Sequence, residues 1–202
     1  MYKKKKYLKE VVFLEKKELK LLEDHNFSQK RLEQIKDCFI FSCYIGLAYN
    51  EASILTKEHL IEREDGFLWI EMIRQKTTRP LIIPLLPKAL EILYKYGFPE
   101  KERQSLPLIS NQKFNSYLKE IAEIIGLNKH LTHHIARKTF TSTVLMDNDI
   151  PIEIASYLLG HSKTSATEIH YGKILRNKVA EHIRNLQSKL GKISSSKGID
   201  EL

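Results

Sequence analysis

The stretch Leu131–Gly172, LTHHIARKTFTSTVLMDNDIPIEIASYLLGHSKTSATEIHYG, concentrates the chemistry of this chain. It holds His134 and Arg137 at i, i+3, a Leu159-Gly160-His161 turn, and Tyr171, 171 − 161 = 10 residues beyond that histidine. On a helix, residues three apart share a face, so His134 and Arg137 aim an imidazole and a planar guanidinium at one small anion, or stand together on a solvated helix face. Gly160 closes the helix that begins near Pro151, because glycine accepts the left-handed backbone a C-terminal cap needs. His161 is then thrown out on the following turn. Tyr171, between His170 and Gly172, offers a phenolic oxygen that serves either as a covalent nucleophile for the same anion or as a core tyrosine.

At these residues the chain resembles the tyrosine recombinases, the phage-integrase family. The matching pieces are T-H-H-I-A-R-K-T-F, similar to that family's His-x-x-Arg box, then L-L-G-H-S and T-E-I-H-Y-G-K. With Gly46-Leu47 upstream and the Arg74/Lys76 hairpin, the resemblance extends over nearly the whole chain. It looks closest to the integrases of mobile elements in Bacteroides-like bacteria.

The resemblance implies an α+β domain, mainly helical with a small three-stranded antiparallel sheet, that cuts and rejoins DNA without a metal or other cofactor. Tyr171 would attack the scissile phosphate, leaving a 3′-phosphotyrosyl link and a free 5′-hydroxyl. Arg137, His134 and His161 would carry charge on the non-bridging oxygens, and Lys76, in the sheet's second turn, would protonate the leaving oxygen. Glu51 falls where the family places an acidic brace, and reads equally as an exposed helix-end carboxylate. The implied partners are duplex DNA, sister subunits in a synaptic complex, and accessory DNA-bending proteins.

Two departures stand out. The interval from His161 to Tyr171 is one residue longer than usual, which puts His170 in the expected place. More consequential, the family's Gly-Leu-Arg is here Gly46-Leu47-Ala48, so the first of two phosphate-binding arginines is missing. Another cation would have to stand in. Residues i and i+2 of an extended strand point to one face, so a Lys76 that reaches the phosphate carries Arg74 with it. Arg79, next to Pro80, is the competitor. Alternatively Arg74 is a solvated edge-strand charge that discourages aggregation.

The rest of the chain reads as scaffold. With 202 residues and 23.6 kDa it is the size of one domain with a substantial core. Hydrophobic residues at 42% and charged residues at 29% describe a globular chain. No apolar run is long enough to span a membrane, and the basic start is not followed by a signal-peptide core, so the expected location is cytoplasmic. A formal charge of +8 and a pI near 9.3 favour a polyanionic partner through counterion release.

Residues 1–12 read as a basic linker or arm, with lysines at positions 3, 4, 5, 6 and 9, and 193–202 as a disordered polar tail; 13–192 would be the catalytic domain. Helices are expected from Glu15, from Ser28 to Leu47 with Ser28 as N-cap, from Ala89 to Tyr96 packing Leu90, Leu93 and Tyr94, from Gln112 to Ile125, and from Asn177 to Leu190. The last of these presents Val179, Ile183, Leu186 and Leu190 to a neighbouring subunit or to its own core. Between the helices, Asp65-Gly66 marks a hairpin joining 60–64 to 67–74, and Pro80–Leu85 is a third strand.

Cys38 and Cys43 lack metal-ligand spacing and read as buried free thiols. His130 and His134 are spaced as zinc ligands, with His133 between them, but no Glu completes a His-Glu-x-x-His motif and His130 lies off the helix. Two other functions share the pattern: a type IB topoisomerase that relaxes supercoils, and a DNA-binding module that has lost catalysis, which Ala48 would favour.

Overall fold

Helix α2, Lys30–Ile45, is the axis of the fold, and it is buried on nearly all sides. Its residues Ile35–Cys43 include Phe39 and Phe41, both at 0% exposure, and fully burying each such side chain contributes roughly 1.5–3 kcal/mol. Along that enclosed stretch a charge has no solvent face, so Lys36 and Asp37 must be paired. Lys36 donates to the carbonyl of His25 (2.7 Å) and to Glu33 (2.9 Å). Asp37 receives Lys95 at 2.7 Å and the Tyr96 hydroxyl at 2.8 Å. The computed structural model describes residues 11–64, 66–75, 80–100 and 106–160.

Around α2 stand α1 (Lys16–Asp24), the short α3 (Tyr49–Ser53), α4 (Pro87–Lys95), α5 (Asn111–Ile124) and α6 (His133–Thr139). The expected helices that fall within the described residues are present, with local differences, and the one expected at 177–190 lies outside them. Helix α2 starts at Lys30 behind Gln29, not behind Ser28 as its cap. In α4, which has its proline in the first turn, the buried face is Ala89, Ile92 and Leu93, whereas Tyr94 is 58% exposed and tilts toward the Phe98 ring. Residues 89, 92 and 93 recur at helical spacing, and Tyr94 falls just outside that stripe.

The sheet is antiparallel in the order β1 (Leu60–Glu62), β2 (Leu68–Ile73), β3 (Pro80–Pro84). Ile70 pairs with Ile83 and Met72 with Leu81, and all four are buried on the core side. The mixed alternation of β2 has a physical reason on the other face. Trp69 points outward but is covered by the Arg63 guanidinium, 5.1 Å from the ring centroid, which is itself paired with Glu71.

Two features have no sequence signature. After α6 the helix widens into a π-turn over Phe140–Leu145, followed by a 3₁₀ turn at Met146–Asn148 that Asp149 ends with φ 62°. Before α1, the incoming chain is tied to that π-turn. The Leu14 amide donates to Thr139 Oγ1 at 2.9 Å, and the Thr143 hydroxyl donates to the Leu14 carbonyl. Lys129 adds a bond to the Phe13 carbonyl at 2.9 Å. A smaller apolar cluster of Phe140, Leu145, Ala155, Leu158 and Leu159 seats the last described helix, α7 (Ile152–Leu158).

Gly46 ends α2 with φ 67°, and a Cβ there would lie 2.3 Å from Cδ1 of the Phe140 ring. Both the left-handed backbone and the aromatic contact exclude a side chain. Gly46→Ala is expected to lower stability by roughly 2–5 kcal/mol, the sum of the left-handed penalty and of overpacking. Gly66→Ala, where φ is 78° but nothing lies within 4 Å, should lose only the backbone part, about 1–2 kcal/mol. Urea midpoints compare the two, and equal losses would remove Phe140 from the account.

Candidate active site

Arg137 lies on α6 with only 8% exposure, and its guanidinium bridges the ends of two helices. Nη1 donates to the Gly46 carbonyl at 2.6 Å and Nη2 to the Leu159 carbonyl. Gly46 and Leu159 are the C-caps of α2 and α7, so the cation sits where two sets of unpaired carbonyls concentrate negative potential.

Arg74 arrives from the opposite side. It directly follows β2 and continues the inward alternation of Ile70 and Met72. Its Nη1 donates to the Gly160 carbonyl at 3.1 Å and lies 3.5 Å from the Leu159 carbonyl. Its Nε is 3.4 Å from Glu51 Oε1. Glu51 is not an exposed helix-end carboxylate but is 3% exposed, and its second oxygen, Oε2, is buried without a hydrogen-bond partner. Gly160, at φ 62°, is where the turn admits Arg74: a Cβ there would meet Leu81 at 3.3 Å and the Arg74 Cδ at 3.7 Å.

Two guanidiniums thus converge on the Leu159 carbonyl with one carboxylate beside them, leaving a net positive site built from α3, β2, α6 and the end of α7. His134, one turn before Arg137, is exposed. Ala48, the N-cap of α3, is half-buried and brings no charge. Lys76, Arg79, His161, His170, Tyr171, the 177–190 helix and the two termini at 1–10 and 161–202 lie outside the described residues.

Sequence reasoning missed the support behind α6. Thr132 caps the helix without a side-chain bond; instead the His133 amide donates to Asn115 Oδ1 of α5 at 2.8 Å. The His133 ring meets Tyr49 of α3 edge-on at 5.4 Å and Phe114 of α5 at 5.5 Å, and its Nε2 lies 3.1 Å from Ser42 Oγ on α2. The single Ser42 proton goes to the Cys38 carbonyl at 2.9 Å, so Ser42 accepts from His133, which is the neutral Nε2–H tautomer. A signal existed: His133, Ala136 and Phe140 recur at helical spacing and mark the buried face. Cys38 and Cys43 are buried free thiols, and burial raises both.

The sequence profile described as the phage integrase family matches residues 12–177. The chain belongs to that family.

Within it, the tyrosine recombinase XerC of Rickettsia massiliae (strain Mtu5) is 31% identical over 133 residues, covering 61% of this chain and 42% of the relative. The chain therefore spans less than half the length of that curated relative. Among solved structures, a XerH site-specific recombinase bound to a palindromic difH substrate, in a post-cleavage complex, superposes with a TM-score of 0.66 at 16% identity, covering 87% of this chain and 54% of that one. The integrase of the Tn1549 transposon, in complex with transposon right-end DNA, gives 0.64 at 14% identity over 85% of this chain and 66% of that one. This chain is thus homologous to tyrosine recombinases and shares the fold of their catalytic domains. None of its described helices is long and apolar enough to cross a membrane.

Burial first, and then the nearby charges of His134 and Arg137, pull His133 down to about 4. Its folded value lies below the unfolded 6.5, so the unfolded chain binds the proton first and stability is lost as pH falls from 6.5 toward 4. The slope from this one group is up to about 1.4 kcal/mol per pH unit. Urea denaturation between those limits should show it, and His133→Gln, which keeps an N–H for Ser42, should flatten it. An unchanged slope in the variant would assign the effect elsewhere.

Proposed function

We propose that this chain is the catalytic part of a site-specific DNA recombinase of the integrase type, with residues 13–192 as the catalytic domain behind a basic linker at 1–12. The observation that supports this reading is the meeting of Arg74 and Arg137 at the Leu159 carbonyl, beside a buried carboxylate. Arg137 supplies one of the family's two phosphate-binding guanidiniums; Arg74, carried on the end of a strand, supplies the one that Ala48 lacks. Electrostatic stabilisation of a pentavalent phosphorus needs such fixed cations, since the non-bridging oxygens gain charge as the state forms.

In the reaction, the Tyr171 phenol gives its proton to solvent and its oxygen bonds to phosphorus as the bond from phosphorus to the 5′-oxygen breaks. Lys76 passes a proton to that leaving oxygen, a role suited to a flexible ammonium. His134 and His161 join the arginines around the phosphate, and Glu51 holds Arg74 in direction. The 3′-phosphotyrosyl link conserves the backbone energy, so rejoining is the same step run backward with another strand's hydroxyl. The substrate is duplex DNA, held by the net positive chain and acted on by sister subunits in a synapse, with accessory DNA-bending proteins. The setting is the bacterial cytoplasm and its nucleoid, and the source a mobile element of Bacteroides-like bacteria, a reading that rests on the sequence resemblance.

A suicide duplex that traps the covalent adduct tests the reading. Tyr171→Phe should abolish the adduct and leave DNA affinity nearly intact, because one hydroxyl among many phosphate contacts adds little to binding. Arg74→Ala should lower cleavage by at least about 10²- to 10³-fold with a modest loss of DNA binding. Arg74→Lys should recover little, since bidentate geometry is lost, and adding Ala48→Arg should restore part of the rate. Full cleavage by Arg74→Ala would move the role to Arg79. A wild-type chain that binds DNA but never forms an adduct would identify a binding module, the reading that Ala48 favours. Supercoil relaxation without two-site joining would instead mark a topoisomerase.

The helix expected at 177–190 docks on a neighbouring subunit in the synapse. Deleting residues 176–202 should spare the fold, measured by circular dichroism and thermal melting, yet reduce two-site joining. Loss of the folded domain would refute docking in trans.

A further inference from the structure

Arg74, Glu51 and Arg137 come from three separate elements, so something must hold those elements in mutual register. Glu51 rides on α3, a helix of five residues, and Arg137 on α6, a helix of seven. Neither is long enough to fix its own direction, because short helices take their stability from what they pack against. Helix α6 also lacks a side-chain cap on its own first turn. Its placement is therefore set from outside.

The group that joins α3 to α6 is His133. Its amide is capped by Asn115, whose own Nδ2 donates to Asn111 Oδ1 at 3.0 Å and so fixes which end of the amide faces α6. Its ring lies edge-on to Tyr49, the first residue of α3 and two residues before Glu51, and Tyr49 is pinned through its hydroxyl to the Ile109 carbonyl. Its Nε2 reaches Ser42, one turn before Gly46, the residue whose carbonyl receives Arg137. One 4% exposed side chain thus contacts α2, α3 and α5 while its backbone begins α6.

We infer that His133, with Asn115, is a positioning pair that locks α3 and α6 against α2, so that Glu51–Arg74 and Arg137 present their cations to one phosphate. His133 is adjacent to His134 but plays no part in contacting DNA: it is enclosed, and its donor is spent on Ser42. The inference rests on the recombinase reading for its consequence in rate. Its structural content, the aim of the Arg137 guanidinium, stands without that reading.

The test uses the full chain. His133→Phe keeps the ring and its aromatic contacts but loses the bond to Ser42, and Asn115→Ala removes the cap. Asn115→Asp keeps an acceptor oxygen and His133→Gln keeps an amide N–H, so these two are the rescuing variants. Adduct formation on the suicide duplex should fall about 10²-fold in His133→Phe and Asn115→Ala, the loss that a misplacement of roughly 1 Å produces. Asn115→Asp and His133→Gln should recover most of it, and DNA affinity should stay within about twofold throughout, because no phosphate contact is removed. A second readout does not need cleavage: the Arg137 Nε–H resonance should move in the two disruptive variants and return in the two conservative ones.

Variants that stay folded and cleave at the wild-type rate would overturn the inference, as would an Arg137 resonance that does not respond. A parallel loss of DNA affinity and rate would overturn it too, by making His133 part of the binding surface. If the wild-type chain forms no adduct, the recombinase reading fails, and the Arg137 resonance alone then decides whether the pair positions the guanidinium.

Discussion

The carbonyl of Leu159 is the point on which the described site depends. Two guanidiniums converge there, and like charges do so only where something compensates them. Here the compensation is threefold: the carbonyl itself at the end of α7, the Gly46 carbonyl at the end of α2, and the Glu51 carboxylate. Helix C-termini are poor places for anions and good places for cations. By ending two helices at one spot, the fold stores positive charge where a naked cluster of arginines would repel itself apart. The same arrangement explains the two glycines: Gly46 ends α2 under the Phe140 ring, and Gly160 turns the chain out of the way of Arg74.

Helix α6 is also tied to the chain that leads into α1. The Leu14 backbone is bonded at both its amide and its carbonyl to threonines four residues apart, Thr139 and Thr143, on the last turn of α6 and the π-turn that follows. Residues spaced i, i+4 lie on one face of a helical segment, so one extended residue is clamped between two hydroxyls. With Lys129 on the Phe13 carbonyl, the incoming chain is held by three bonds before α1 begins. Displacing residues 13–14 therefore strains the helix that carries Arg137, although Leu14 and its partner Thr139 are 125 residues apart in sequence.

Much of this was legible in the sequence, and the limits have physical causes. The i, i+3 pair, the glycine that ends α7 and the small sheet follow from local rules of spacing and turn chemistry, which a sequence displays directly. Arg74 was placed by strand alternation alone. Its partners were not readable, because the Gly160 carbonyl is 86 residues distant and a carbonyl has no sequence signature. The π-turn was invisible because a single widened turn of six residues is too short for a change of period to register. Glu51 illustrates the reverse difficulty. Its acidity was plain, but a five-residue helix gives no periodicity from which to decide whether its side chain faces water or Arg74.

Ala48 leaves the N-cap of α3 without charge, and the second guanidinium at the Leu159 carbonyl comes from Arg74 at the end of β2. From the N-cap of α3, an arginine would approach on a flexible side chain rooted next to Tyr49 and Glu51. Arg74 instead starts from a strand whose register is fixed by Ile70 opposite Ile83 and Met72 opposite Leu81, and it spans to α3 and α7 together. A guanidinium held at both its Nε and its Nη1 by groups on two different elements loses less freedom on meeting a ligand than one anchored only through its stem. Glu51 is what makes that possible: one of its oxygens orients Arg74, and the other, buried and unpartnered, keeps the local field negative enough to hold a cation in place. Glu51 and Arg74 are therefore one device, and neither would be stable at 3% and 14% exposure without the other.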